Sequence, residues 1–118
     1  DQYDLQWWQY DVLSALRRQG APYTMSASEL AQAAMLTSGA MTNRIDRLEY
    51  LNLVVRLKDD SDRRKVLVRL TSKGLDLVES ATEARFKAAV NALQGLDKTQ
   101  HKELSNLLRQ LLSNQEST

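Results

Sequence analysis

The 118 residues, 42% of them hydrophobic and none of them cysteine, fit one compact domain or one protomer of an oligomer. They exclude a disordered segment, disulfides, thiolate metal sites and cysteine nucleophiles, and with no run of about 18 apolar residues and no secretory pattern a cytoplasmic protein without a membrane span is expected. The net charge of +1 hides an asymmetry: between Ser38 and Lys73 nine lysines and arginines stand against five acids, a surplus of +4, while the remainder carries −3, as expected of a phosphate-binding surface.

Leu5 to Arg18 reads as a helix, with Leu5, Trp8, Val12 and Leu16 at helical spacing and Leu13 widening the stripe. Gln19-Gly20-Ala21-Pro22 ends it. Ser26 followed by Glu29 is a capping box opening a second helix with Leu30, Ala31 and Ala34, whose alanines allow a close helix crossing. After a turn through Met35 and Leu36, Thr37 or Ser38 caps a third helix to about Leu51. Met41, Ile45 and Leu48 should face the core, with Ser38, Ala40, Thr42, Asn43 and Arg47 mostly on the other side. Asn52 suits a left-handed cap.

Val54–Lys58 and Lys65–Leu70 are rich in β-formers and flank the polar turn Asp59-Asp60-Ser61-Asp62-Arg63-Arg64, so they read as a hairpin. Thr71 caps a long helix from Ser72 toward Leu93; Gln94-Gly95 breaks it, and Asp97 with Gln100 opens a last helix carrying Leu104, Leu107, Leu108, Leu111 and Leu112. These helices hold more apolar surface than one small core needs. A second subunit would cover it; a tail folded back on its own domain would do so equally well.

Catalysis has little to stand on. His101 is the lone histidine, the four glycines are isolated, and no metal-ligand spacing occurs, so no enzyme, cofactor or metal site is expected. Nucleic-acid binding fits better. Small residues at the start of the third helix (Ser38, Gly39, Ala40) let its backbone approach DNA, its amides suit a phosphate, and Thr42 and Asn43 carry groups that read base edges. Arg47, one turn on, reaches phosphate or guanine. Of Arg63, Arg64 and Lys65, strand alternation lets at most two face one groove. Asp62 either orients Arg64 or forms a plain turn salt bridge. A winged-helix protein–protein module without a DNA role is the competing reading.

The stretch from Ser38 to Glu49, then Asp62-Arg63-Arg64, then Leu70-Thr71-Ser72-Lys73-Gly74, resembles the MarR family of bacterial transcription regulators, and the similarity continues through the last two helices. The resemblance implies a mainly α, winged helix-turn-helix fold over residues 1–118. A two-stranded wing and a DNA-binding core of about 24–74 are followed by dimerisation helices at about 72–93 and 98–113. It implies a homodimeric repressor on a pseudo-palindromic operator, with the third helix in the major groove and Arg64, oriented by Asp62, in the minor groove. Trp8-Gln9-Tyr10-Asp11-Val12-Leu13 and Leu16-Arg17-Arg18 further resemble the urate-responsive, PecS-like branch. That resemblance makes Asp11, Arg44 and Arg56 a ligand-response set for urate or another small anionic or aromatic effector; a structural ion pair between helix and wing would use the same residues. The family's preceding helix is absent or nearly so before Leu5, as in either a truncated or a naturally short chain, and Asn52 stands where the family usually has glycine.

Overall fold

The computed structural model describes residues 5–117, without the side chains of 112 and 114–117. The expectations for residues 1–4 and 118, and for the apolar side chain of Leu112, lie outside the described residues. The chain forms two compact units, one ending at Ala81 and the other beginning at Thr82.

In the first unit, α1 (Trp7–Arg17) begins where the Gln9 side chain accepts the backbone N–H of Gln6 at 2.9 Å, and it buries Val12, Leu13 and Leu16. Gly20, at φ 75°, turns the chain away after it. Strand β1 (Thr24–Ser26) leads directly into α2 (Ala27–Ala33). The capping box forms as expected: Ser26 Oγ accepts the Glu29 N–H at 3.1 Å and Glu29 Oε1 accepts the Ser26 N–H at 3.0 Å. The backbone hydrogen bond from Ser26, then its hydroxyl, holds the Glu29 carboxyl below its usual range.

Thr37, rather than Ser38, caps α3 (Ser38–Tyr50), accepting the Ala40 N–H at 3.1 Å. Met41, Ile45 and Leu48 are buried along α3, as their spacing requires; each such side chain contributes about 1.5–3 kcal/mol on burial. Asn52 takes the left-handed conformation at φ 63°, and the Leu53 N–H bonds back to the Leu48 carbonyl at 3.0 Å, closing the helix end.

Strands β2 (Val54–Lys58) and β3 (Val66–Leu70) form the expected hairpin, with Val54 opposite Leu70 and Lys58 opposite Val66. Lys65 falls in the turn, its N–H on the Asp62 carbonyl at 3.0 Å. The sheet has three strands in the order β1-β3-β2, since β1 pairs antiparallel with β3. Two strands were expected. The third is only three residues long, its partner lies more than forty residues on, and Ser26 also serves as a helix cap, so no alternation reveals it. Val54, Val68 and Leu70 join Leu13, Leu16, Leu30, Met41, Ile45 and Leu48 in one core.

The link from sheet to α4 (Ser72–Asn91) is closely tied to the end of α3. The Thr71 N–H bonds the Leu53 carbonyl at 3.1 Å, the Thr71 hydroxyl donates to the Asn52 carbonyl at 2.7 Å, and Lys73 Nζ donates to the Leu51 carbonyl at 3.1 Å. The same Thr71 Oγ1 accepts the Gly74 N–H at 3.0 Å, capping α4. A Cβ at Gly74 would collide with the Leu53 carbonyl oxygen. The Thr71–Gly74 motif is therefore a latch.

The second unit holds the rest of α4, which ends two residues before the expected Leu93, and α5 (Lys98–Ser117). The expected box forms between Asp97 and Gln100, with the Gln100 N–H on Asp97 Oδ1 at 2.8 Å. The Arg109 guanidinium lies 5.6 Å from the centre of the Phe86 ring, while Leu107 and Leu111 stay more than half exposed. Among the described residues no helix is long and apolar enough to cross a membrane. The architecture is the mainly α, winged helix-turn-helix expected from the sequence, with β1 added to its sheet.

Candidate nucleic-acid interface

Burying Met41, Ile45 and Leu48 forces the opposite side of α3 outward. Ser38, Gly39, Thr42, Asn43 and Arg47 are all exposed, and Ala40 is half-buried. Ser38 and Thr42 lie one turn apart on the flank facing the wing; Gly39, Asn43 and Arg47 follow at four-residue spacing along the next row. An added Cβ at Gly39 meets nothing within 4 Å. Glycine at an exposed helical position costs about 1 kcal/mol relative to alanine; the fold itself gains nothing from it, and the surface stays open to close approach.

The wing turn is organised by its own acids. Asp59 Oδ1 accepts both the N–H and the hydroxyl of Ser61, at 2.8 and 2.7 Å, and the Ser61 side chain, then its backbone, holds the Asp59 carboxyl below its usual range. Asp62 Oδ1 accepts the Arg64 N–H at 3.0 Å and its Nε–H at 3.3 Å. Arg64 is 93% exposed in its side chain. An exposed pair of this kind adds little stability, but it aims a guanidinium outward. Arg63 and Lys65 are exposed beside it.

Between the wing and the starts of α2 and α3 lies an open cleft of about 600 Å³ lined by Ser28, Ser38, Thr42, Asp62, Arg64 and Lys65. Two separate sequence signals, the polar start of α3 and the basic turn, thus meet on one surface. Beside the Asp62 carboxylate and the apolar Ala27 and Val66, its hydroxyls, arginine and lysine are donors suited to phosphate oxygens and base edges.

Arg47 is exposed on α3 outside this cleft, 5.9 Å from the Trp8 ring centre. Arg44 is half-buried against α1, 5.3 Å from the Trp7 ring and 5.6 Å from the Trp8 ring. These aromatic partners escape a sequence reading that places Trp8 in an apolar stripe, because they arise where side chains of α1 and α3 meet. Arg56 points back at α3, with Nη2 at 2.7 Å from Asp46 Oδ1 and Nη1 at 2.6 Å from Glu49 Oε1. Burial works against its charge, but the two carboxylates outweigh it and hold the guanidinium above its usual range. Asp11 is exposed, beside a cavity of about 50 Å³ shared with Arg18, Leu30 and Met41. Pockets for small organic ligands measure about 300–1,000 Å³, so as it stands that cavity is too small for a purine. Asp11 makes no ion pair with Arg44 or Arg56 among the described residues; the structure brings Arg44 to the tryptophans and Arg56 to the acids of α3. No cluster able to hold a metal ion occurs among the described residues.

The model of the MarR family matches residues 5–66. The HTH-type transcriptional regulator PecS of Dickeya dadantii is 33% identical over 100 residues, covering 85% of this chain and 60% of that protein. The HTH-type transcriptional repressor NicR of Pseudomonas putida is 28% identical over 109 residues, 92% of this chain and 67% of its own length. Among solved structures, the YusO protein of Bacillus subtilis aligns with a TM-score of 0.78 at 25% identity, over 95% of this chain and 77% of that one. A mutant MarR of E. coli complexed with operator DNA aligns with a TM-score of 0.67 at 27% identity, over 92% of this chain and 76% of that one. The chain spans about half to two thirds of the length of the curated relatives it matches first. On the family model, the identity to PecS and the shared fold together, this chain belongs to the MarR family.

Proposed function

We propose that the protein is a sequence-specific DNA-binding transcription regulator that works as a homodimeric repressor on a pseudo-palindromic operator. The observation that carries this reading is the cleft in which Ser38 and Thr42 of α3 face Arg64 and Lys65 of the wing. Ser38, Thr42, Asn43 and Arg47, with Gly39 and Ala40 giving clearance, serve the major groove; Arg64, braced by Asp62, serves the minor groove with Arg63 or Lys65 on the flanking phosphates. The operator-bound MarR of E. coli supports it by similarity. The exposed Leu107 and Leu111 of α5 are apolar area that a second copy would cover.

Release by a small anionic or aromatic effector, urate being the first candidate, rests on the resemblance of the α1 stretch, with Asp11, Arg44 and Arg56, to the urate-responsive branch. Since Asp11 pairs with neither arginine here and the cavity beside it is small, the effector would have to bind a different, released form. An effector shifts the protein away from its operator-binding form only through a higher affinity for the released form.

The test uses a duplex selected from a random pool. Arg64→Ala should weaken binding at fixed salt by roughly tenfold to a hundredfold, equivalent to the ~1–3 kcal/mol of a good arginine contact to nucleic acid. Unchanged affinity in a folded variant overturns the wing assignment. Saturating urate should release the same duplex from the wild-type protein, and no release removes urate as the effector.

A further inference from the structure

Arg56 sits on β2 opposite Val68 of β3, on the sheet face that carries the buried Val54 and Leu70. Its side chain is 28% exposed, against 93% for Arg64, and both terminal nitrogens of its fork are engaged. Nη1 donates to Glu49 and Nη2 to Asp46, and Nη2 also lies 3.4 Å from the Thr42 carbonyl. The second oxygen of Glu49 accepts the backbone N–H of Arg56 at 3.4 Å. One carboxylate therefore holds both the backbone and the side chain of this strand residue, and three α3 residues are gripped by one guanidinium.

Asp46 and Glu49 lie one turn apart on α3, a spacing that a planar, two-pronged guanidinium spans and a lysine point charge does not. Arg56 is near the base of the wing and Arg64 at its tip. A strand advances ~3.3 Å per residue, so a small change of angle at the base moves the tip by several times as much.

From this geometry we propose that Arg56, anchored by Asp46 and Glu49, is a positioning residue that fixes the wing relative to α3 and so sets where Arg64 meets DNA when Thr42 and Asn43 occupy their groove. The inference rests on the DNA-binding reading above. It removes Arg56 from the residues that contact phosphate directly, and it gives the two acids of the reading helix a reason to be there: alone, their negative charge would repel the duplex.

The test is a set of double-mutant cycles on the selected duplex. In the wild-type background Arg64→Ala and Thr42→Ala each cost affinity. In Arg56→Ala the cost of Arg64→Ala should shrink to within about twofold, the limit of ordinary additivity, while that of Thr42→Ala persists. A strut that serves stability alone would leave both costs unchanged, and that result overturns the proposal. The isosteric pair Asp46→Asn with Glu49→Gln keeps the test open if Arg56→Ala does not fold. Removing two negative charges from a DNA-facing helix should strengthen binding on charge grounds; positioning predicts weaker binding and loss of the Arg64 contribution. Arg56→Lys should behave like Arg56→Ala, not like the wild type. Tighter binding by the double acid variant contradicts the inference, whereas a wild-type protein that binds no duplex overturns the DNA-binding reading along with it.

Discussion

At Gly74 the protein has no room for a methyl group, because the start of α4 rests against the carbonyl of Leu53. Gly74→Ala must push α4 away or break the Thr71 bonds to Asn52 and Leu53. Overpacking of this kind costs about 1–3 kcal/mol, so a lower urea midpoint with an unchanged slope is expected; an unaltered midpoint would show that the latch yields freely. Gly39, by contrast, is open, and alanine there should cost the fold nothing. At this scale the sequence was legible wherever the signal was local. The Ser26–Glu29 and Asp97–Gln100 boxes and the left-handed Asn52 each involve neighbours within a turn. The partners of Arg44 and Arg56 were not legible as they stand. They depend on which faces cross, although two acids three residues apart on α3 and an arginine on the next strand offered a signal for the second.

Between elements, side chains join α1 to α3 through the contacts of Arg44 with Trp7 and Trp8 and of Arg47 with Trp8. Trp7 is 68% exposed, an unusual cost for a tryptophan unless its ring has a partner. Each such contact is worth about 0.5–2 kcal/mol. Trp8→Ala should therefore lower stability by an amount of that order plus the lost apolar burial, and should weaken duplex binding because Arg47 loses its backing. Full affinity in a folded Trp8→Ala protein would show that Arg47 needs no support from α1. The helices and the hairpin could be read from periodicity, since burial enforces it over ten or more residues. Strand β1 could not, because its pairing with β3 is non-local and too short to leave an alternation.

For the whole molecule, only part of the charge asymmetry seen in the sequence reaches one surface: Arg64 and Lys65 border the same cleft as Ser38 and Thr42, while Arg44, Arg56 and Lys73 are held elsewhere. That convergence could be anticipated only through the family resemblance, because composition fixes how much positive charge exists and not where it gathers. In the proposed homodimer a second copy would cover the leucines left exposed on α5, and two copies related by symmetry would present two copies of α3 to one duplex. The central claim, that α3 and the wing together read duplex DNA, is tested most directly by selecting ligands from a random duplex pool and measuring the affinity of the winners across a salt series. The expected result is enrichment of an inverted repeat with half-sites about one helical turn apart, bound with an affinity that falls steeply as salt rises. A pool that yields no enriched sequence, with no duplex bound even at low salt, would contradict it.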